Sequence, residues 1–152
     1  MRYWLFKSEP DTFSIDDLKR NKIDHWDGVR NYQARNFLRD EIKKDDLAFF
    51  YHSSCASPGI VGVMKIISNA YPDATAFDPH SNYYDSKSNK DNPRWFLVDV
   101  EYVRHTQRNI TLSELKAHTQ LHELALLKKG NRLSIIPVDE QQWHFILSLE
   151  SN

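Results

Sequence analysis

The sequence predicts an α+β domain built on a curled, mostly antiparallel sheet. Three observations lead there. Apolar runs of strand length are followed irregularly by short helices, without the strict alternation of a doubly wound fold. Gly59 and Gly62 flank apolar strand residues, where a sharp bend would let the sheet close toward a small barrel. A chain of 152 residues is most simply one domain, 1–152, with a single core.

The elements follow in order. "RYWLFK" reads as an opening strand, broken by "SEPD". Ser14 with Asp17 three residues on forms a capping box for a short helix over Ile15 and Leu18. Asn31 is a good N-cap for a helix that carries Ala34, Phe37, Leu38 and Ile42 on one face and ends in the charged run "RDEIKKDD". "LAFFYHS" and "GIVGVMKIIS" read as buried strands joined by the turn "SCASPG", and "RWFLVDVEYV" as a third. The polar segment 78–93 between them offers only two Tyr for burial and is expected to be a lid, mobile until a ligand orders it. Thr111 and Glu114 box another short helix, "LSIIPV" is a last strand, and Asp139 with Gln142 caps a closing helix bearing Trp143, Ile146 and Leu147.

Composition narrows the function. Twenty basic and 21 acidic side chains leave a net charge of −1, so an anionic partner must be met by a local patch rather than by overall charge. The lone Cys55 forms no internal disulfide and implies a reducing compartment, and the reading places the protein in the cytoplasm. No run approaches the ~20 apolar residues of a membrane span, so no membrane partner is expected. His118 and His122 stand four apart, but "HTQLH" lacks the Glu a metalloprotease needs, and no metal site is assigned. Nor does any glycine pattern cradle a nucleotide cofactor, and none is expected. His52 and Cys55 could in principle pair as base and nucleophile, yet no third orienting group is evident.

The segment "HWDGVRNYQARNF", residues 25–37, is different in kind. Trp26 falls in a loop beside Gly28, and Arg30, Asn31, Tyr32 and Gln33 follow at a helix entrance rich in donors. An unstacked base needs an aromatic face and amide or hydroxyl groups for its edge, and this combination can supply both. Composition alone equally fits Trp26 as a core anchor and Asn31 as a plain cap.

Longer matches bear on that choice. "WLFKSEP" at 4–10, "WDGVRNYQARNFLR" at 26–39, "FFYHS" at 49–53, "PGIVGVMKI" at 58–66, "AYPD" at 70–73, "DNPRWFLVDV" at 91–100 and "NRLSIIPV" at 131–138 resemble the EVE-domain family over nearly the whole chain. The resemblance implies a PUA-like fold: a curled, mostly antiparallel five- to six-stranded β-barrel with flanking short helices. It also implies a monomeric, non-enzymatic binder of modified bases, chiefly modified cytosine, in DNA or RNA. Related YTH and SRA domains read methylated bases, YTH domains in an aromatic cage. Carried across, the resemblance makes Lys7, Ser8, Trp26, Val29, Asn31, Tyr32, His52, Ser53, Tyr84 and Trp95 the base-binding set, with Trp95 fitting core or cage equally. Arg30, Arg35, Lys87 and Arg94 become the phosphate contacts. A chain starting at Met1 without a basic extension argues against strong nonspecific affinity. Two other classes remain: a plain interaction module, and a small amidohydrolase acting on acylated cytidine, as in ASCH relatives, for which Lys7, Ser8 and Glu9 supply the residue types.

Overall fold

The structure, a computed structural model, describes residues 1–151. Its frame is a six-stranded sheet in the order β2-β7-β4-β3-β1-β8, formed by β1 (Tyr3–Ser8), β2 (Ile23–His25), β3 (Leu47–His52), β4 (Gly59–Ile66), β7 (Asp99–Thr111) and β8 (Ile135–Val138). Only β1 and β3 pair in parallel; the other four pairings are antiparallel. The expected curled, mostly antiparallel sheet is therefore present. Register shifts in β4 on both sides, against β3 and β7, provide its curvature where Gly62 falls. A β-carbon on Gly62 would stand 2.6 Å from Ile15 Cδ1, so the glycine also lets α1 (Ile15–Asn21) press onto the sheet.

The apolar runs are continuous because both faces of the central strands are covered. Trp4, Phe6, Ala48, Phe50 and Met64 enter one cluster with Ile15, Leu18, Trp26, Val29 and Leu38. Leu5, Phe49, Tyr51, Ile60 and Val63 enter the other, under Trp143 and Ile146 of α4 (Glu140–Leu149) and Leu115 of α3 (Leu112–Lys116). Alternate residues of one strand thus feed two cores. All the anticipated caps form: Ser14 accepts from Asp17 N–H, Asn31 from Ala34 N–H, Thr111 from Glu114 N–H and Asp139 from Gln142 N–H.

Three features depart from the expectation. Helix α2 (Tyr32–Asn36) lasts one turn and passes into a π turn over Phe37–Glu41. The "RWFLVDVEYV" strand is split at Val98: β6 (Phe96–Leu97) pairs with β5 (Tyr71–Pro72) as a separate ribbon, while β7 starts at Asp99. Val98 sits at the split because its carbonyl accepts the Trp26 N–H at 2.9 Å. β7 also continues through the polar "RHTQRNIT", where Arg104 and Arg108 are absorbed by ion pairs with Glu150 and Glu114.

Candidate functional site

A cavity of about 440 Å³ opens where the end of β1, the Thr12–Phe13 turn and the 24–30 segment meet. That size lies within the ~300–1,000 Å³ of small-ligand sites. Its floor is aromatic. Trp26 presents its ring edge-on to Phe6, Phe13 and Phe50 at 5.2, 6.0 and 5.3 Å, and is only 7% exposed. Phe13 and Val29 line the cavity beside it, and Tyr83 closes one side.

The loop carrying Trp26 is pinned at two points. Trp26 N–H donates to Val98 O, and Gly28 N–H donates to Asp73 Oδ2, each at 2.9 Å. Gly28 has a φ of +78°, which favours glycine, and the Tyr83 ring lies against its α-carbon. Asp73 is fully buried and holds the whole corner: it accepts from Gly28, from the Thr75 N–H and hydroxyl, and from Arg30 Nη1 at 3.1 Å. Burial alone would raise its pKa, but the bonds from Thr75, Gly28 and Arg30 outweigh it and hold the carboxyl below the usual range.

The polar rim mixes charges. Lys7, Ser8, Glu9, Asp24, His25 and Asp27 all line it. Burial lowers the Lys7 pKa. Asp27 is open to solvent by surface area, yet its carboxyl is pushed up, first by loss of water and then by Asp73 and Asp24. The His25 pKa is likewise pushed up, by its 2.7 Å bond to Asp99, which also accepts the Tyr71 hydroxyl.

Of the expected base-binding residues, Lys7, Ser8, Trp26 and Val29 line this cavity. Asn31, Tyr32, His52, Ser53, Tyr84 and Trp95 do not. Asn31 spends its side chain on the Ala34 N–H, and His52 Nε2 accepts the Ile15 N–H at 3.1 Å, so both are helix caps. Burial correspondingly lowers the His52 pKa, in keeping with a neutral acceptor. The Ser53 N–H donates to Ser8 O, tying β3 to β1. Tyr32 and Trp95 stack on one another at 4.8 Å outside the cavity, and Trp95 Nε1 donates to Asp85. Tyr84 points to solvent while its neighbour Tyr83 faces the cavity.

The phosphate candidates divide similarly. Arg30 is spent internally, with Nε and Nη2 both donating to Tyr83 O at 3.0 and 2.7 Å and Nη2 also to Thr75. The 78–93 segment is accordingly a bonded wall: Arg30 grips it, Trp95 holds Asp85, and Ser81, Tyr84, Asp85 and Ser88 donate backbone N–H bonds. Lys87 is exposed, and Arg35 and Arg94 gather around Tyr32, the first 4.9 Å over its ring.

The sequence matches the EVE domain family over residues 2–149. This chain belongs to the EVE domain family. It is 49% identical to thymocyte nuclear protein 1 of Gallus gallus over 166 aligned positions, covering 97% of this chain and 68% of that protein. The EVE domain superposes on a crystal structure of a Pseudomonas syringae protein with a TM-score of 0.95 at 51% identity, covering 97% of this chain and 99% of the other. It superposes on the human THYN1 protein, solved in complex with DNA containing 5-methylcytosine, with a TM-score of 0.92 at 46% identity, covering 100% and 99%. The vertebrate relatives carry "nuclear" in their name, whereas the composition of this EVE domain had suggested the cytoplasm. Among its described residues no helix is long and apolar enough to cross a membrane, and no group of three or more His, Cys, Asp or Glu could hold a metal.

Sequence reasoning missed Phe13, His25, Asp27 and Gly28 as lining residues. The signal for three of them lay in the segment already singled out, since His25, Asp27 and Gly28 surround Trp26.

Proposed function

We propose that this chain reads DNA containing 5-methylcytosine by accepting the unstacked modified base into the Trp26 cavity. The observation that carries the reading is a pinned, aromatic-floored cavity of about 440 Å³ in a chain 46% identical to a protein solved with such DNA. A base inside a duplex cannot reach a cavity; extruding it costs a few kcal/mol, which stacking on aromatic walls at ~1–3 kcal/mol per base helps to offset. Trp26, Phe13 and Tyr83 supply those walls, and their apolar edges suit a 5-methyl group. Lys7 and the rim carboxylates supply a donor and acceptors for the base edge.

The hydrolase arrangement has less support. Lys7, Ser8 and Glu9 all reach the rim because β1 ends at Ser8, but the Ser8 hydroxyl already donates to Phe13 O at 2.6 Å. Among the described residues no carboxylate forms an ion pair with Lys7. A hydroxyl committed to a carbonyl and an unpaired amine do not make an activated nucleophile.

The test is a pair of duplexes identical except for one cytosine or 5-methylcytosine, titrated against the protein by fluorescence anisotropy. Tighter binding to the methylated duplex is expected; equal affinity would overturn the reading.

A further inference from the structure

The carboxylates at and behind the cavity rim are not equivalent. Asp73, behind the rim, is saturated by Gly28, Thr75 and Arg30. Asp24 is also spent, with Oδ1 accepting the His25 N–H and Oδ2 the Asn21 amide, both at 2.8 Å. Asp27 and Glu9 differ: among the described residues no other residue donates a hydrogen bond to either carboxyl, and of the two it is Asp27 that stands beside Trp26. It also sits between the two pinned residues, Trp26 and Gly28, so its position relative to the aromatic floor is fixed.

We infer that Asp27 is a specificity-determining residue of this cavity, accepting the exocyclic N4 amino group of a cytosine and rejecting a 4-oxo base. The inference rests on the reading of the cavity as a base site. Cytosine and 5-methylcytosine present an N4–H2 donor where uracil and thymine present an O4 acceptor. A carboxylate has acceptors only, so an amino group satisfies it and a carbonyl oxygen meets it with like charge and no proton. The 5-methyl group cannot make this distinction, because thymine carries it too. The aromatic floor therefore recognises the methyl group, and Asp27 separates 5-methylcytosine from thymine, its deamination product. Loss of water first, and then the nearby Asp73 and Asp24, disfavour charge on this carboxyl, with His25 opposing them, so it gains from a donor delivered by the ligand.

The experiment uses four duplexes that place cytosine, 5-methylcytosine, uracil or thymine opposite an abasic site, so that no test base is paired and extrusion costs are matched. The wild-type protein is expected to bind 5-methylcytosine over thymine, and cytosine over uracil, by about tenfold or more, the scale of one specific base-edge contact. Asp27→Asn, whose amide offers donor and acceptor alike, is expected to bring both ratios to near one while keeping or raising Tm, because it removes one charge from a carboxylate cluster. Equal wild-type affinity for 5-methylcytosine and thymine, with a methyl preference intact, would overturn the inference and leave the base-site reading standing. A D27N protein that keeps the wild-type ratios would do the same. Binding indifferent to all four bases would overturn both.

Discussion

The ring of Tyr83 lies so close over the α-carbon of Gly28 that a β-carbon there would stand 2.6 Å from Tyr83 Cζ. Two segments far apart in sequence thus share one wall of the cavity, and the contact exists because residue 28 has no side chain. Gly28→Ala is expected to displace Tyr83 and to cost about 1–2 kcal/mol from the positive φ alone. Thermal denaturation together with 5-methylcytosine binding checks this: Tm and methyl preference should fall together, and an unchanged preference would remove Tyr83 from the site.

Arg30 is the second link between these segments. Arg30→Lys keeps the charge but loses the planar fork that bonds Tyr83 O twice and Asp73 once. A loss of about 2 kcal/mol or more is expected, since hydrogen bonds from charged groups contribute ~1.5–3 kcal/mol. Hydrogen exchange should accelerate at Ser81, Tyr84, Asp85 and Ser88; unchanged protection there would mean that Arg30 does not hold the wall.

Trp26 serves the core and the cavity at once, and its substitution reads accordingly. Trp26→Ala should cost about 3–5 kcal/mol, as large-to-small core changes do, because three Phe rings lose a neighbour. Phe13, partly exposed at the rim, is the cleaner probe: Phe13→Ala should weaken binding to the methylated strand by roughly fivefold or more, with a smaller loss of stability. Full affinity in F13A would exclude it as a stacking wall.

Acid stability should depend on Glu150, which accepts two 2.8 Å bonds from Arg104 and one from Gln107 N–H. The Arg104 bonds, against burial and with help from Gln107, hold its carboxyl below the usual carboxylate range. A depressed carboxylate stabilises the fold fully above the unfolded pKa and loses that contribution as pH falls through the folded pKa. Glu150→Gln should lower stability at neutral pH by about 1 kcal/mol, solvent access to Arg104 limiting the effect. Below about pH 4 the difference from wild type should close in urea melts. A constant difference across this range would contradict the assignment.

Phosphate contacts should be few. Net charge is −1 and Arg30 is committed internally, leaving exposed Lys87 and the half-buried Arg35 and Arg94 beside Tyr32 as candidates. The log–log salt slope on single strands should be no steeper than about −3, and Arg35→Ala should reduce it by about 0.7 while weakening methylated and unmodified strands alike. A much steeper slope would show a larger basic footprint than this surface provides.

The central strands were legible because burial on both faces writes itself as uninterrupted apolar runs such as "YWLF" and "LAFFY". The polar half of β7 was not, since its pairing with β4 and its ion pairs leave no hydrophobic period to read. The caps at Ser14 and Asp139 were legible from spacing alone. At the site, the same chemistry defeated the reading: an amide or imidazole that can bond a base edge can equally bond an N–H, and Asn31 and His52 do the latter. Tyr83 and Tyr84 are neighbours in an aperiodic segment, so which one turns inward is set by turn geometry and by Arg30 rather than by any pattern in the text.

The most direct test of the central claim is to find where the modified base sits. Titrating isotope-labelled protein with a short strand carrying one 5-methylcytosine should shift the Trp26 indole, the Gly28 N–H and the Tyr83 ring first, with weaker changes at Arg35 and Arg94. Shifts confined to the Arg35–Arg94 surface, or to the separate cavity beside Arg2 and Glu140, with the Trp26 and Gly28 signals unmoved, would contradict it.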